Sequence, residues 1–227
     1  MNFIPGGQQQ WEVSKLVNLL KINMRTYSYL ALGDSYTVGE QVSIVKAFPY
    51  QTVQLLRRAE LKFYAPEIIA TTGWTTGDLK QALEENVLLA TYDFVSVLIG
   101  VNNQYQGKSA EEFRTHFRVI LEFAIERAGG ISGNVVVLSI PDWGVTPFAG
   151  NKSPGKISAA IAMYNVICQT EAAHFQTRYI DITASQQLDG NKEEYLAPDL
   201  LHPSAKEYEK WAAVLSSEIL DAVENPV

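Results

Sequence analysis

Two short apolar runs constrain the fold of this chain more strongly than any other feature. Residues 94–99 and 135–140 are almost free of polar side chains, and Pro141 ends the second run. A strand with one face in water alternates between apolar and polar residues, whereas a continuous apolar run is typical of a strand that helices cover on both faces. The two runs therefore predict interior strands of a parallel sheet.

Strands and helices alternate along the rest of the chain. Shorter apolar segments predict strands that begin at Tyr27 and over residues 67–70 and 178–182. Helix signals lie between the strands: Pro49 at a helix start, Thr76 as a cap, Ser109 with Glu112 as a capping box, a helical pattern over 156–174, and Ser204 capping a terminal helix. This alternation predicts an α/β fold, a three-layer α/β/α sandwich around a flavodoxin-like five-stranded parallel sheet.

The length of 227 residues suits one domain of this class. Residues 1–23 differ in composition from the rest of the chain, because a Gly-Gly-Gln-Gln-Gln stretch precedes the apolar residues of a short amphipathic helix. We therefore expect a leader over 1–23, helical in part, and a single domain over 24–227. A scaffold role for this leader in oligomer formation is one open hypothesis, and the sequence leaves the oligomeric state open.

Charge and apolar pattern exclude several classes of partner. The formal net charge is −7 without a run of Lys or Arg, so nucleic acid and anionic membrane surfaces are not expected partners. No apolar stretch approaches the roughly 20 residues of a transmembrane helix. No basic start precedes a long apolar stretch, as it would in a secretory signal. We expect a cytoplasmic protein, or one from which a leader has been removed.

The cysteine and two of the three histidines are expected to be structural. Cys168 is the single cysteine, which excludes an internal disulfide and a cysteine-based metal cluster. It shares a helix face with Ile161 and Tyr164, which predicts a buried, unreactive thiol. His116 and His174 fall within helical patterns, and we expect them at the surface or the core edge.

A serine follows the first strand at a sharp turn. Residues 33–35 read Gly-Asp-Ser, and a strand that ends in glycine before a helix places the next side chains at the carboxyl edge of the sheet. The backbone N–H of Ser35 then lies at a helix N-terminus, where negative charge is favoured. Ser35 is therefore a candidate nucleophile, and Asp34 is expected to stabilise the turn by accepting backbone hydrogen bonds.

Three more unusual segments lie downstream of strands, at residues 72–74, 100–103 and 199–202. All strands of a parallel sheet end at the same edge, so these segments and residues 33–35 can converge on one cleft. The sequence resembles the SGNH, or GDSL-type, hydrolase family, which is named for Ser, Gly, Asn and His on four separated blocks. Ser35, Gly73, Asn102 and His202 match those blocks, and the resemblance extends from Tyr27 to the terminal helix.

The resemblance implies a serine esterase that acts on small-molecule esters without a cofactor or metal. Ser35 would attack the ester carbonyl, His202 would act as general base, and Asp199 would orient His202. The backbone N–H groups of Ser35 and Gly73 and the side-chain amide of Asn102 would hold the oxyanion. Asp34, Asp199 and His202 form a weak candidate for a metal site, because one histidine is few for zinc.

The sequence departs from the family pattern at two positions. Asn103 stands where the third block usually has aspartate, and we expect the amide to keep the hydrogen bonds that support the loop. Trp74 follows Gly73, where many relatives carry a small or acidic residue, and we expect it to wall the pocket. Aromatic residues of loops that follow strands are expected to line the substrate pocket with Trp74: Tyr36, Tyr105, Trp143 and Phe148.

The sequence leaves the substrate class open. The absence of a long apolar lid segment and the aromatic loop around Trp143 favour short acyl groups, such as acetyl, on carbohydrates or small metabolites. A lysophospholipase- or thioesterase-like activity on longer acyl chains is the alternative. Because Asn103 departs from the family pattern, a catalytically silent binding module that keeps the fold is a further hypothesis.

Overall fold

A central parallel sheet organises the chain. The computed structural model describes residues 25–225, so the predicted leader over 1–23 lies outside the described residues. With strands numbered in chain order, β1 (Thr26–Tyr27) and β3 (Lys62–Phe63) form a small two-stranded parallel sheet. The main sheet has five parallel strands in the order β4-β2-β5-β6-β7: β2 Tyr29–Gly33, β4 Glu67–Ala70, β5 Phe94–Leu98, β6 Val135–Leu138 and β7 Arg178–Ile180.

Helices connect the strands. They are α1 Ser35–Val38, α2 Phe48–Arg58, α3 Thr76–Glu85, α4 Val101–Tyr105, α5 Ala110–Arg127, α6 Pro154–Phe175, α7 Thr183–Asp189 and α8 Ala205–Glu224. Helices α3, α5 and α6 pack side by side, and α2 packs against α8. The strand order and these two helix groups confirm the predicted flavodoxin-like α/β fold. Over residues 25–225, no helix has both the length and the apolar character that a membrane span requires.

The interior strands are covered on both faces. Every residue of β2, β5 and β6 is buried, which explains their continuous apolar sequence. The one polar side chain within β5, Ser96, forms a 2.7 Å hydrogen bond with the buried Tyr29 hydroxyl, so neither group is left unpaired. Cys168 is buried as predicted, and burial raises the pKa of its thiol, which keeps it unreactive.

One helix cap differs from the prediction. The N-cap of α3 is Thr75, whose hydroxyl and backbone N–H form a capping box with Asp78, and Thr76 is the first helical residue. Thr76 cannot serve as the cap because its backbone N–H and hydroxyl both bond to Asn103. The caps at Ser109 and Ser204 are confirmed, since both side chains accept backbone N–H groups of the next helical turn. Of the capping box predicted for Ser109 and Glu112, only the Ser109 half forms, and the Glu112 carboxylate instead pairs with Lys108 at 3.4 Å.

A glycine at the end of β5 gives a test of the packing at the sheet edge. Gly100 has φ of 130°, and a Cβ there would lie 2.7 Å from side-chain carbons of Phe113 and Ile140. We expect Gly100→Ala to lower the free energy of unfolding by about 2–4 kcal/mol, because strain and overpacking add. Urea unfolding measures the change.

The matched control is Gly155→Ala. Gly155 lies in the first turn of α6, and a Cβ there would have no neighbour within 4 Å. Alanine is the better helix former, so this variant is expected to be as stable as the wild type or about 0.5–1 kcal/mol more stable. Equal unfolding midpoints for Gly100→Ala and the wild type would contradict the packing argument.

Candidate active site

The first segment of the site is the turn between β2 and α1. A Cβ at Gly33 would lie 2.4 Å from the carbonyl oxygen of Leu98, so glycine allows β2 to end this close to β5. Asp34 then caps α1 by accepting the backbone N–H of Tyr36 at 3.0 Å. Ser35 is the first residue of α1, so its N–H has no partner within the helix.

Three side chains from two distant segments form a hydrogen-bonded chain. His202 Nε2 lies 3.0 Å from Ser35 Oγ, and His202 Nδ1 lies 2.6 Å from Asp199 Oδ2. Asp199 Oδ1 also accepts the backbone N–H groups of Leu201 and His202 at 3.0 and 2.9 Å. Burial alone would raise the pKa of Asp199, but these hydrogen bonds outweigh it and lower the pKa, so the carboxylate is ionised at neutral pH.

The turn that carries His202 is held on several sides. Leu200 has φ of 59°, an uncommon conformation for a leucine, and this bend brings the Asp199 and His202 side chains together. The carbonyl of His202 accepts the Ala197 N–H at 2.7 Å. The ring of Tyr36 contacts the His202 ring edge-on, with centroids 5.6 Å apart. Backbone and aromatic contacts thus fix the imidazole orientation.

The residues predicted to supply the hydrogen-bond donors lie at one cleft. Ser35, Gly73, Asn102 and His202 all line it. Gly73 has φ of 88°, which favours glycine at this position. One N–H of the Asn102 amide donates to the Trp74 carbonyl at 3.0 Å, which leaves the second for a ligand.

Asn103 supports the segment between β5 and α5. It is buried, its Oδ1 accepts the Thr76 N–H at 2.9 Å, and its Nδ2 lies 2.8 Å from Thr76 Oγ1. Because a backbone N–H can only donate, it fixes which end of the amide faces Thr76 N. The amide therefore satisfies both polar groups of Thr76, and no buried charge is needed here.

Aromatic and aliphatic side chains form the walls of a cleft of about 220 Å³. Val101 and Leu201 are the aliphatic members. Four of the aromatics predicted to line a pocket form the rest of the walls: Tyr36, Tyr105, Trp143 and Phe148. The indole N–H of Trp143 donates to Gln104 Oε1 at 2.7 Å, which holds the ring in place. The sequence patterns did not single out Gln104, although its position beside Asn103 was a usable signal.

Trp74 differs from the expectation, because it is not among the residues that line the cleft. Its side chain packs against the hydrophobic core, and its carbonyl accepts the Asn102 amide. The Trp74 N–H closes a turn by donating to the Thr71 carbonyl at 3.2 Å. His116 and His174 also lie outside the cleft, on α5 and α6.

Asp34 is a buried carboxyl with incomplete pairing. Burial raises its pKa to about 7, although hydrogen bonds from the N–H groups of Tyr36 and Gly100 act in the opposite direction. Within the described part of the chain, its Oδ2 has no hydrogen-bond partner. Over residues 25–225, no group of three or more His, Cys, Asp or Glu side chains is arranged to hold a metal ion.

Comparison with known proteins shows the family of this chain. The sequence model of the GDSL-like Lipase/Acylhydrolase family matches residues 31–210. The chain belongs to this family. It is therefore a carboxylic ester hydrolase with the α/β fold that the sequence predicted. No curated protein sequence shows significant similarity to this GDSL-like hydrolase.

Solved structures share the fold at low sequence identity. A lipase/acylhydrolase from Enterococcus faecalis is 23% identical with a TM-score of 0.68, over 86% of this chain and 95% of that one. The acetylxylan esterase Axe2 from Geobacillus stearothermophilus is 20% identical with a TM-score of 0.67, over 85% and 94%. The psychrotrophic esterase EstA from Pseudoalteromonas sp., inhibited by monoethylphosphonate, is 13% identical with a TM-score of 0.63, over 87% and 97%.

The raised pKa of Asp34 predicts how stability depends on pH. Between the unfolded pKa near 3.8 and the folded pKa of about 7, the folded state binds more protons, so the free energy of unfolding falls as pH rises. Asp34→Asn keeps a good N-cap and removes this titration. We expect the variant to gain up to about 4 kcal/mol relative to the wild type between pH 4 and 8. Urea unfolding at both pH values measures the difference, and a pH-independent difference would contradict the prediction.

Proposed function

We propose that this GDSL-like hydrolase is a serine esterase that forms an acyl-enzyme on Ser35 and cleaves esters of short acyl groups. One observation carries the proposal: Ser35 Oγ lies 3.0 Å from His202 Nε2, while His202 Nδ1 lies 2.6 Å from the Asp199 carboxylate. A hydroxyl bonded to an imidazole that a carboxylate orients is the arrangement that activates a serine.

In the first half of the reaction, Ser35 Oγ attacks the ester carbonyl carbon and transfers its proton to His202 Nε2. The carbonyl oxygen takes the negative charge and accepts hydrogen bonds from the N–H groups of Ser35 and Gly73 and the free amide N–H of Asn102. The C–O bond to the leaving alcohol then breaks, and His202 returns its proton to that alcohol. Asp199 stabilises the imidazolium throughout.

In the second half, water replaces the alcohol. His202 takes a proton from the water as its oxygen attacks the acyl carbon, and the same donors hold the second oxyanion. The bond to Ser35 Oγ breaks, the carboxylic acid leaves, and Ser35 recovers its proton from His202. Every proton moves between groups of this chain, the substrate and the attacking water, so no cofactor is required.

The size of the cleft supports short acyl groups. Its volume of about 220 Å³ lies below the range typical of pockets for drug-sized ligands. Trp143 closes one side and is held by Gln104, Tyr105 and Phe148. The likeness to an acetylxylan esterase agrees with an acetyl group on a carbohydrate or small metabolite.

A second candidate is hydrolysis of longer acyl chains. Tyr105 is 59% exposed and Phe148 is 36% exposed at the cleft, so an acyl chain that leaves the cleft would meet apolar surface. The hypothesis of a catalytically silent binding module was based on Asn103. Because the Asn103 amide forms two hydrogen bonds with Thr76 that support its loop, this position gives no reason to expect a loss of activity. Hydrolysis rates across a series of acyl-chain lengths separate the two candidates.

The proposal predicts chain-length-dependent hydrolysis of p-nitrophenyl esters from acetate to palmitate. We expect the highest kcat/KM at acetate. Ser35→Ala and His202→Ala are expected to lose at least about 10³-fold in kcat, because each removes a member of the proton-transfer chain. The folded state of each variant is checked by its thermal unfolding.

Each outcome of the series has a defined meaning. A maximum at long chains would support the second candidate and reject the short-acyl proposal. Turnover that persists in Ser35→Ala would reject the acyl-enzyme on Ser35. An ethyl p-nitrophenyl phosphonate ester gives an independent check: Ser35 Oγ attacks phosphorus and expels p-nitrophenolate, so the ester should label the wild type and leave Ser35→Ala unlabelled.

The wall formed by Trp143 gives a separate prediction on substrate length. Trp143→Ala should open the cleft and raise the kcat/KM ratio of butyrate to acetate, by up to roughly fourfold for each added methylene that becomes buried. Gln104→Ala is the matched variant, since it removes only the hydrogen bond that holds the indole. It should shift the ratio in the same direction by less. An unchanged ratio in Trp143→Ala would remove Trp143 from the acyl site.

A further inference from the structure

The loop that carries Gly73 is exposed between β4 and α3. Thr71, Thr72 and Gly73 are all exposed, and a Cβ at Gly73 would have no neighbour within 4 Å. Packing therefore does not fix the direction of the Gly73 N–H. The loop is instead held by hydrogen bonds, one of which closes the turn from the Trp74 N–H to the Thr71 carbonyl at 3.2 Å.

Two side-chain hydrogen bonds flank Gly73, one on each side. On the downstream side, the Asn102 amide donates to the Trp74 carbonyl at 3.0 Å. On the upstream side, the Thr72 hydroxyl donates to the carboxylate of Glu40. The downstream bond comes from Asn102, itself one of the proposed oxyanion donors. The upstream bond comes from the segment that directly follows the Ser35 helix.

The backbone of Glu40 is fixed relative to Ser35. The N–H groups of Gly39 and Glu40 both donate to the Ser35 carbonyl at 3.0 Å. Gly39 ends α1 with φ of 79°, and a Cβ there would lie 2.5 Å from the Cβ of Ala47, so the turn is tightly packed. Glu40 therefore connects the serine segment to the glycine loop through one side chain.

We infer that Glu40 is a positioning residue: by holding Thr72, it keeps the Gly73 N–H aligned with the Ser35 N–H for the same oxyanion. The inference rests on the proposed function, because it assumes that both N–H groups bind the carbonyl oxygen of an ester. Such donors act at 2.7–3.1 Å from the oxyanion, and a displacement of about 1 Å can cost 10²-fold in rate. An exposed loop held by few contacts is sensitive to the loss of one of them.

A purely electrostatic role of Glu40 makes the opposite prediction. A carboxylate close to a developing oxyanion repels it, so removing that charge would increase the rate. Glu40→Gln separates the two roles, because the glutamine carbonyl can still accept the Thr72 hydroxyl while the negative charge is gone. Positioning predicts that Glu40→Gln keeps most of the activity that Glu40→Ala loses.

The test compares Glu40→Ala, Glu40→Gln, Thr72→Val and the double variant Glu40→Ala/Thr72→Val on the ester that the wild type hydrolyses fastest. We expect Glu40→Ala and Thr72→Val each to lower kcat roughly 10-fold with KM nearly unchanged. The Gly73 N–H that these residues position makes its hydrogen bond to the oxyanion of the transition state. The double variant should be no slower than either single variant, since both break the same hydrogen bond. Glu40→Gln should stay within about threefold of the wild type.

A second measurement separates positioning from a general structural effect. The rate of inactivation by an ethyl p-nitrophenyl phosphonate ester, which loses p-nitrophenolate as Ser35 is phosphonylated, should fall in parallel with kcat, because the phosphoryl oxygen occupies the same donors. The melting temperature should stay close to that of the wild type. Glu122→Ala serves as the matched control, since Glu122 is an exposed glutamate on α5 outside the cleft. It should change none of these quantities.

Three outcomes would overturn the inference. They are an unchanged or increased kcat in Glu40→Ala, losses that multiply in the double variant, and equal losses in Glu40→Gln and Glu40→Ala. Failure of the proposed function is recognised separately, because Ser35→Ala would then retain the turnover of the wild type. If Ser35-dependent turnover is intact and Glu40→Ala is unaffected, only the positioning role of Glu40 is rejected.

Discussion

The candidate site depends on the register of β2 between β4 and β5. Gly33, the last residue of β2, pairs with Ala70 on one side and with Leu98 on the other, so three neighbouring strands end at the same level. Ser35, Gly73 and Asn102 come within a few residues of these strand ends and therefore reach one cleft. A shift of one strand by one residue would move the site residue that follows it by about 3.3 Å along the sheet edge, since that is the rise per residue of a parallel strand. That distance is larger than the tolerance of a hydrogen bond.

Around this register, the site is supported mostly by polar groups that do not line the cleft. Asp34 caps the serine helix, Asn103 joins two segments through Thr76, and Glu40 links the serine segment to the glycine loop. Asp34 and Asn103 are buried, and buried polar groups are costly unless paired, so they favour one arrangement of the loops. Asp34 is only partly paired, and burial raises its pKa. The loops are thus ordered by short-range hydrogen bonds placed on a rigid sheet.

Much of this arrangement was predictable, for identifiable reasons. The uninterrupted apolar runs predicted interior parallel strands, and parallel strands end at one edge, so four segments far apart in the chain were expected to meet. The details that failed are local. Thr76 has the sequence context of a helix cap, yet Thr75 is the cap because Asn103 engages Thr76 from another segment. Trp74 has the sequence context of a pocket residue, yet its side chain packs against the core.

The amino-acid sequence alone is enough to predict the fold class, the family and the residues proposed to carry the reaction. These follow from apolar periodicity and from short blocks in a fixed order, both of which are local properties of the chain. Three features emerge only in the packed fold: His202 lies within hydrogen-bond distance of Ser35, the cleft is small and walled by Trp143, and Glu40 reaches Thr72. These contacts join segments that the sequence separates by tens of residues or more. Their distances are set by sheet register and side-chain packing, which no local pattern encodes.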